Sequence, residues 1–548
     1  MSGTEGVILI AAVGLAAIGL DLAVLWAWRA VRRAKTPPSP APAAEAPPPD
    51  APPPPPPRVV RWILAIEPSI SAGYATLRRL TRLAATMLRD EQSLLRAVAV
   101  LACFLTALSL GYVSADNYML VQHWLLWAWI ACVSVSLFAL LPLGRLKPQI
   151  DPRDRWILGV VVLAVLLRLI SLETIPGGFH VDEWGAADFA LQYVVPPIHE
   201  TISPFVTGDS AQPALYFYLA RASLAVFGES IAGLRMSSVL AGSLASVATF
   251  ALVSLLHNRK AAYLSAVLMA TYHFHIHWSR IGLNNIWDTL WVPLILAFYV
   301  WGWRRDRPAG ATLAGLALGL SQYFYAGSRI GIFLLGYLVI RLWRAERNDA
   351  RLVTHLSRLV GIAAVVAGPL AVFAARSPEI FFNRLTSGLL WDPFAAELAG
   401  TPAGFLPSVP QQFVWTLLSF TAIPEGAGFY RPGVPLVIGL AVPLLLAGVF
   451  WQIHRRELVP VFWLALTMFF GGFLLEALPA SNHYAVAIPA IVWLIASPLE
   501  ALIGFGRLRW AVLAMAVIVA TDLYFYFGIY AQAPSLDFIH PFPPNPWN

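Results

Sequence analysis

The chain has 548 residues, 58% of them hydrophobic and only 12% charged, with a mean hydropathy of +0.67. Soluble domains carry about 25% charged residues, so this composition excludes an ordinary water-soluble enzyme, and the apolar content excludes disorder for most of the chain. The net charge of +7, from 37 basic against 30 acidic side chains, reads in so apolar a chain as a topology code, and no nucleic-acid partner is expected.

Runs of mostly apolar residues, about 20 being needed per crossing, predict an all-α polytopic membrane protein with about 14 transmembrane helices. In chain order the spans fall near 7–28, 97–114, 120–142, 156–172, 236–256, 261–277, 286–303, 309–325, 330–343, 356–375, 434–453, 458–475, 484–503 and 510–530. The first is followed by Arg29, Arg32, Arg33 and Lys35 and preceded by no base, the reverse of a cleavable signal peptide. Residues 1–35 therefore read as a membrane anchor with its N-terminus extracytoplasmic. Alternation from there places 29 bases in cytoplasmic connections and 7 in outer ones. That bias supports a multi-pass cell-membrane protein with both termini extracytoplasmic.

Residues 36–57 form a proline-rich linker. Thirteen of the 21 residues from Pro37 to Pro57 are proline, which excludes helix and sheet and predicts an extended spacer of about 60 Å; a cytoplasmic partner that reads proline is the alternative use. Residues 58–96 are basic. Leu77, Leu80, Ala84, Met87 and Leu88 recur there at helical spacing, with Arg78, Arg79, Arg82 and Arg89 between them, as in a helix lying on the cytoplasmic lipid face or packed against the bundle. Residues 97–152 read as an accessory transmembrane hairpin, 153–532 as the core and 533–548 as an extracytoplasmic tail. Cys103 and Cys132 lie inside apolar runs, where no disulfide is expected.

Two outer connections, 173–235 and 376–433, are predicted to be large loops, and long ordered loops carry function. The first is acidic and opens with PGGFHVDEWGAADFA (176–190). Pro176, Gly177 and Gly178 break the span immediately before His180, Asp182 and Glu183. Paired carboxylates at a membrane interface suit general-base chemistry; they equally suit the solvated first turn of a helix.

These residues resemble the GT-C membrane glycosyltransferases: the protein O-mannosyltransferases, the lipid A aminoarabinose transferases and bacterial glycosyltransferases of the RgtA/B/C/D-like type. The resemblance begins with the apolar-His-x-Asp-Glu block and continues in order through QPALYFYL (212–219), FGESIAGLRMSSVLAG (227–242), HIHWSRIGLNNI (275–286), LGLSQYFYAGSRIGIF (318–333) and ASNHYAVAIPA (480–490). It covers about 154–530, leaving an 11-helix core plus 3 N-terminal helices. The resemblance implies transfer of a sugar from a polyprenyl-phosphate donor to an acceptor (protein, lipid or polysaccharide) on the outer face, with inversion. It also implies that Asp182 is the catalytic base, with Glu183 orienting the acceptor or a neighbouring polar group.

Substrate-binding candidates are His180, Gln212, Tyr216, Arg280, Asn285, Asp288, Arg329 and His483. Arg280 and Arg329 lie in short outer connections, where a guanidinium could hold the leaving phosphate against the alternative of snorkelling or helix-end compensation. Arg235 reads as structural. Two positions depart from the family pattern: Gln212 stands where aminoarabinose-type relatives have lysine, and Asn285 where an acidic residue is common, with Asp288 as its substitute facing an internal polar cavity. No cofactor is expected. A divalent metal is a weaker alternative, because His273, His275 and His277 alternate and would point to different faces of a helix. Trp124, Trp127, Trp129, Trp278, Trp287 and Trp301 read as an interfacial belt. The competing function is a transporter or flippase of a lipid-linked or small substrate, for which the spans offer little beyond Asp21, Arg168 and Asp288 as pathway ionisable groups.

Overall fold

The computed structural model describes residues 76, 78–83, 86, 90–116, 123–141, 152–192, 205, 213–381, 409–424, 429–430, 432–474, 481–532 and 542–543. The expected first span, the proline linker, Asp21 and Gln212 lie outside the described residues. All described residues but Thr76 belong to one compact unit, Leu77–Asn548.

That unit is helical throughout, without a β-sheet among the described residues. Its longer helices are α1 Glu91–Asp116, α2 His123–Leu140, α3 Ile157–Leu169, α4 Val181–Gln192, α5 Leu215–Phe227, α6 Ile231–Leu256, α7 Arg259–Thr271, α8 His273–Trp278, α9 Asp288–Arg304, α10 Pro308–Ser321, α11 Ile330–Glu346, α12 Asp349–Arg376, α13 Val409–Leu418, α14 Ala441–His454, α15 Val459–Met468, α16 Ile488–Gly504 and α17 Leu508–Leu523. Among the described residues, seven helical stretches are long and apolar enough to cross a membrane, including Ile231–Leu256, Ala326–Glu346 and Ser481–Gly504. Each expected span after the first overlaps a described helix, but only seven of these helical stretches meet the length and hydropathy of a crossing.

Local chemistry sets the boundaries. Ser230 Oγ accepts from the Gly233 amide at 3.0 Å, Asn258 Oδ1 from Ala261 at 2.9 Å and Asn348 Oδ1 from Arg351 at 3.0 Å. These bonds cap α6, α7 and α12 by satisfying orphan donors of the first turn. The run expected at 434–453 becomes helical only at Ala441, because 432–440 turns through Gly433 and Gly439 at positive φ. The run at 261–277 breaks at Tyr272, whose extended backbone separates α7 from α8. The first expected outer loop contains two helices, α4 and the apolar α5.

Helices approach most closely where side chains vanish. A Cβ on Gly302 would sit 2.7 Å from the Gly310 Cα, so α9 and α10 cross backbone to backbone, and a Cβ on Gly111 would meet the Pro369 Cα at 2.5 Å. The second contact seats α1 on α12. The hairpin is fastened to α12 further by Trp129 Nε1, which donates to the Val366 carbonyl at 3.0 Å, and by Arg358, which donates to the Leu140 carbonyl at 2.6 Å. The hairpin expected to be accessory therefore shares a core with the rest: Leu110, Leu125 and Trp129 pack in one cluster with Tyr216, Tyr323 and Phe324. Trp129 and Trp278 are buried, 4% and 0% exposed, rather than interfacial, whereas Trp124 and Trp127 are exposed. Of the described residues in the basic segment, Arg79 pairs with Asp349 at 2.8 Å and Leu80 packs against a core cluster.

Alternation of the helices gathers two sets of turns. One is laced by the ion pairs Arg259–Asp154, Arg351–Asp306 and Arg341–Glu457, at 2.9, 2.9 and 2.7 Å. The other collects the segments around 180, 284, 325 and 483 about a single cavity.

Candidate active site

The site begins with a turn that has few hydrogen bonds of its own. After α3 the chain runs through Pro176, Gly177 and Gly178 to reach α4, leaving carbonyls unpaired in a buried place. Arg235 of α6 and Arg280 of the turn after α8 satisfy them. Arg280 donates to the carbonyls of Leu167 (3.0 Å), Arg168 (2.7 Å), Ile175 (2.8 Å) and Ile170. Arg235 donates to Leu172 and Gly178, both at 3.0 Å, and holds Glu183 through both carboxylate oxygens at 2.9 and 3.0 Å. Glu183 also accepts from the Gly282 amide at 2.8 Å. Arg235, Arg280 and Glu183 are each 0% exposed. A third buried arginine, Arg168, is spent on the carbonyls of Ala164, Met269 and Ala270 and on His275 Nδ1, at 2.8–3.1 Å.

This network pins the first turn of α4 and divides the adjacent carboxylates. Glu183 points into the protein, while Asp182 is exposed and lines the cavity. The Asp182 amide donates to His180 Nδ1 at 3.1 Å, and the His180 ring packs on Phe429 at 4.4 Å between centroids. Nearly two turns further along α4, burial raises the Asp188 carboxyl above its usual value, partly offset by a hydrogen bond from Gln192; Asp188 does not line the cavity.

The cavity has a volume of about 780 Å³ and brings together five of the expected residues: Asp182, Tyr216, Asn285, Arg329 and His483. Tyr216 is fixed by donating its hydroxyl to the Gly282 carbonyl at 2.5 Å. His483 Nδ1 lies 3.2 Å from the Tyr325 hydroxyl, to which Asn482 Nδ2 donates at 3.4 Å. Arg329 rests over Phe381 at 5.3 Å and is the only guanidinium among the described lining residues. Asp288 lies behind this wall, 1% exposed, within electrostatic reach of Arg329. Its Oδ2 fills the space where Gly327 would carry a Cβ. The remaining walls are largely aromatic, with Phe189, Phe217, Phe324, Phe333 and Phe470. Apolar walls with a few convergent donors suit an amphipathic ligand with an anionic head.

Of the other expected residues, His180 stands behind Asp182, Glu183 is its buried neighbour and Arg280 serves backbone carbonyls. A phosphate at Arg280 would have to displace those bonds, so the position does not fit the anion-binding expectation. Of the alternating histidines, His273 and His277 share one face while His275 turns away to Arg168; among the described residues no group of three or more potential metal ligands gathers. The cavity also holds residues that the sequence reading passed over. Asn482 and Tyr325 were visible beside His483 and Arg329 in their motifs, but Phe429 had no local signal, because only folding brings it back to His180.

Residues 211–373 match the family model described as dolichyl-phosphate-mannose-protein mannosyltransferase. Among curated proteins, the chain is similar to the undecaprenyl phosphate-alpha-4-amino-4-deoxy-L-arabinose arabinosyl transferases of Pseudomonas paraeruginosa, 27% identical over 296 residues, and of Pseudomonas aeruginosa, 28% identical over 297 residues. Each match covers 50% of this chain and 52% of the relative, so the chain spans about half the length of the curated relatives it matches. Among solved structures, ArnT from Cupriavidus metallidurans in the apo state is 17% identical with a TM-score of 0.45, covering 68% of this chain and 64% of that one. The Archaeoglobus fulgidus oligosaccharyltransferase in the apo form is also 17% identical with a TM-score of 0.45, covering 70% and 57%. The motif order in the sequence, the family match over 211–373 and the curated relatives agree: this chain is similar to the GT-C superfamily of membrane glycosyltransferases.

Proposed function

We propose that the protein is an integral-membrane inverting glycosyltransferase that moves a sugar from a polyprenyl-phosphate donor to an acceptor hydroxyl on the extracytoplasmic face. The observation that carries this reading is the cavity itself, where an exposed Asp182 carboxylate and the Arg329 guanidinium share one aromatic-walled space. The family match and the curated relatives support it.

Asp182 takes the proton from the acceptor hydroxyl as its oxygen attacks the anomeric carbon. The bond from that carbon to the phosphate oxygen breaks on the opposite face, and the polyprenyl phosphate leaves with the electron pair. Arg329, Asn285 and His483 supply positive charge and donors for the leaving oxygens. Glu183 positions Asp182 through the Arg235 network. The protein uses residues 153–532 as its catalytic core, carries both termini outside the cytoplasm, and takes a protein, lipid or polysaccharide acceptor from the cell envelope.

The test uses purified protein in nanodiscs with a polyprenyl-phosphate sugar and an envelope acceptor fraction. Release of polyprenyl phosphate together with a glycosylated acceptor is expected. Movement of the intact lipid between leaflets of a liposome without sugar transfer would establish the transporter reading instead.

A further inference from the structure

The sequence HFHIHW (273–278) places three histidines on one short helix, and neither metal binding nor the proposed chemistry uses them. Their partners show another use. His277 Nε2 donates to the Phe429 carbonyl at 2.8 Å, and its ring stacks on Tyr430 with centroids 4.0 Å apart. His273 Nδ1 lies 2.6 Å from the Tyr430 hydroxyl, and the Asp522 carboxylate accepts from the His273 amide at 3.3 Å. Tyr272, just before the helix, donates its hydroxyl to the Leu436 carbonyl at 2.6 Å. Both histidines are 0% exposed. Phe429, Tyr430 and Leu436 thus meet His277, His273 and Tyr272 in turn, the two histidines lying four positions apart on one helix face.

We infer that Tyr272, His273 and His277 form a seat for the end of the second outer stretch, and that His277 is a positioning residue for the cavity. Phe429 is the link. Its carbonyl is held by His277, its ring lines the cavity, and that ring packs against His180. His180 in turn accepts from the Asp182 amide at 3.1 Å. One chain of contacts therefore runs from the seat to the carboxylate at the cavity wall. The alternation that denies these histidines a common metal serves the seat, since His273 and His277 reach Tyr430 and Phe429 while His275 turns the opposite way to Arg168 and Thr289. The His277 imidazole has a definite state here: a carbonyl can only accept, so Nε2 carries the proton.

The inference rests on the reading of the cavity as the transfer site, and two readouts separate their failures. The first is hydrogen exchange on the full-length protein in nanodiscs, which needs no activity. His277→Ala should raise exchange about tenfold at the amides of 429–437 and 180–184, with α9 and α12 unchanged, whereas His277→Gln, which keeps a donor, should stay near wild type. The second is transfer kinetics. His277→Ala should lower kcat about ten- to a hundredfold, the range of a misplaced catalytic group, with KM for the polyprenyl-phosphate sugar within about threefold, and His277→Gln should recover most of the loss. Unchanged exchange at 180–184 in a folded His277→Ala protein would overturn the inference. So would a change confined to KM, or global loosening shared by α9 and α12. The expected exchange difference between His277→Ala and wild type, with no transfer by the wild-type protein, would overturn the proposed function while leaving the seat in place.

Discussion

Asp182 and Glu183 are neighbours of identical chemistry with opposite fates, and the difference is angular. Adjacent helical positions are separated by about 100°, set by 3.6 residues per turn, so a turn that buries Glu183 against Arg235 leaves Asp182 at the cavity. The pairing of carboxylates and their place at a helix start were legible from the sequence. Spacing alone did not show which one faces the cavity, and only the resemblance chose Asp182, because the deciding partner, Arg235, comes from another helix, 52 positions later. The arginines show the same limit. Arg280 and Arg329 are alike in sequence, each in a short outer connection, yet one is surrounded by carbonyls and the other lines the cavity. Arg329→Ala should therefore weaken transition-state stabilisation, lowering kcat/KM for the lipid donor about 10²-fold or more, the scale of losing one charged donor. Arg329→Lys should recover part of it, and steady-state kinetics with varied donor measure both. Glu183→Gln breaks a fully buried ion pair and leaves Arg235 charged, which should cost about 3–5 kcal/mol of stability. A lowered midpoint in thermal unfolding of the detergent-solubilised protein checks it.

At the level of elements, apolar periodicity located the helices because lipid imposes a length on every crossing. It failed where the chain breaks for reasons outside the window: Tyr272 splits a run, and Gly433 and Gly439 delay α14. Gly471 and Gly472 sit in a π-helical turn, Phe469–Phe473, beside the cavity. Widened turns of this kind recur at functional sites. Here the Gly472 carbonyl accepts from Gln412 of α13 at 2.9 Å, and the absent Gly472 side chain makes room for the Tyr484 hydroxyl. The crossing of α9 and α10 is similarly exacting. Gly310→Val should overpack it and cost about 1–3 kcal/mol or more, read as a lower unfolding midpoint with the donor affinity of the surviving folded fraction unchanged.

For the whole molecule, the resemblance began near residue 154, and the preceding hairpin was expected to be accessory. The structure gives it a share of the core through Gly111 on Pro369 and Trp129 on Val366. No periodicity could show this, since both hairpin helices are apolar nearly all round and offer no face to choose. A protein beginning at residue 153 should accordingly unfold at a lower temperature than the full chain; an equal midpoint would return the hairpin to accessory status. The charge bias further predicts that a reporter fused near Ser210 is extracytoplasmic and one near Arg305 cytoplasmic. The central claim, that Asp182 activates the acceptor for sugar transfer from a polyprenyl phosphate, is tested most directly by single-turnover transfer with purified Asp182→Asn beside wild type. Loss of about 10²–10⁴ in the rate of polyprenyl phosphate release, the usual contribution of a general base, with retained donor binding is the predicted result. Equal rates in the two proteins would contradict it.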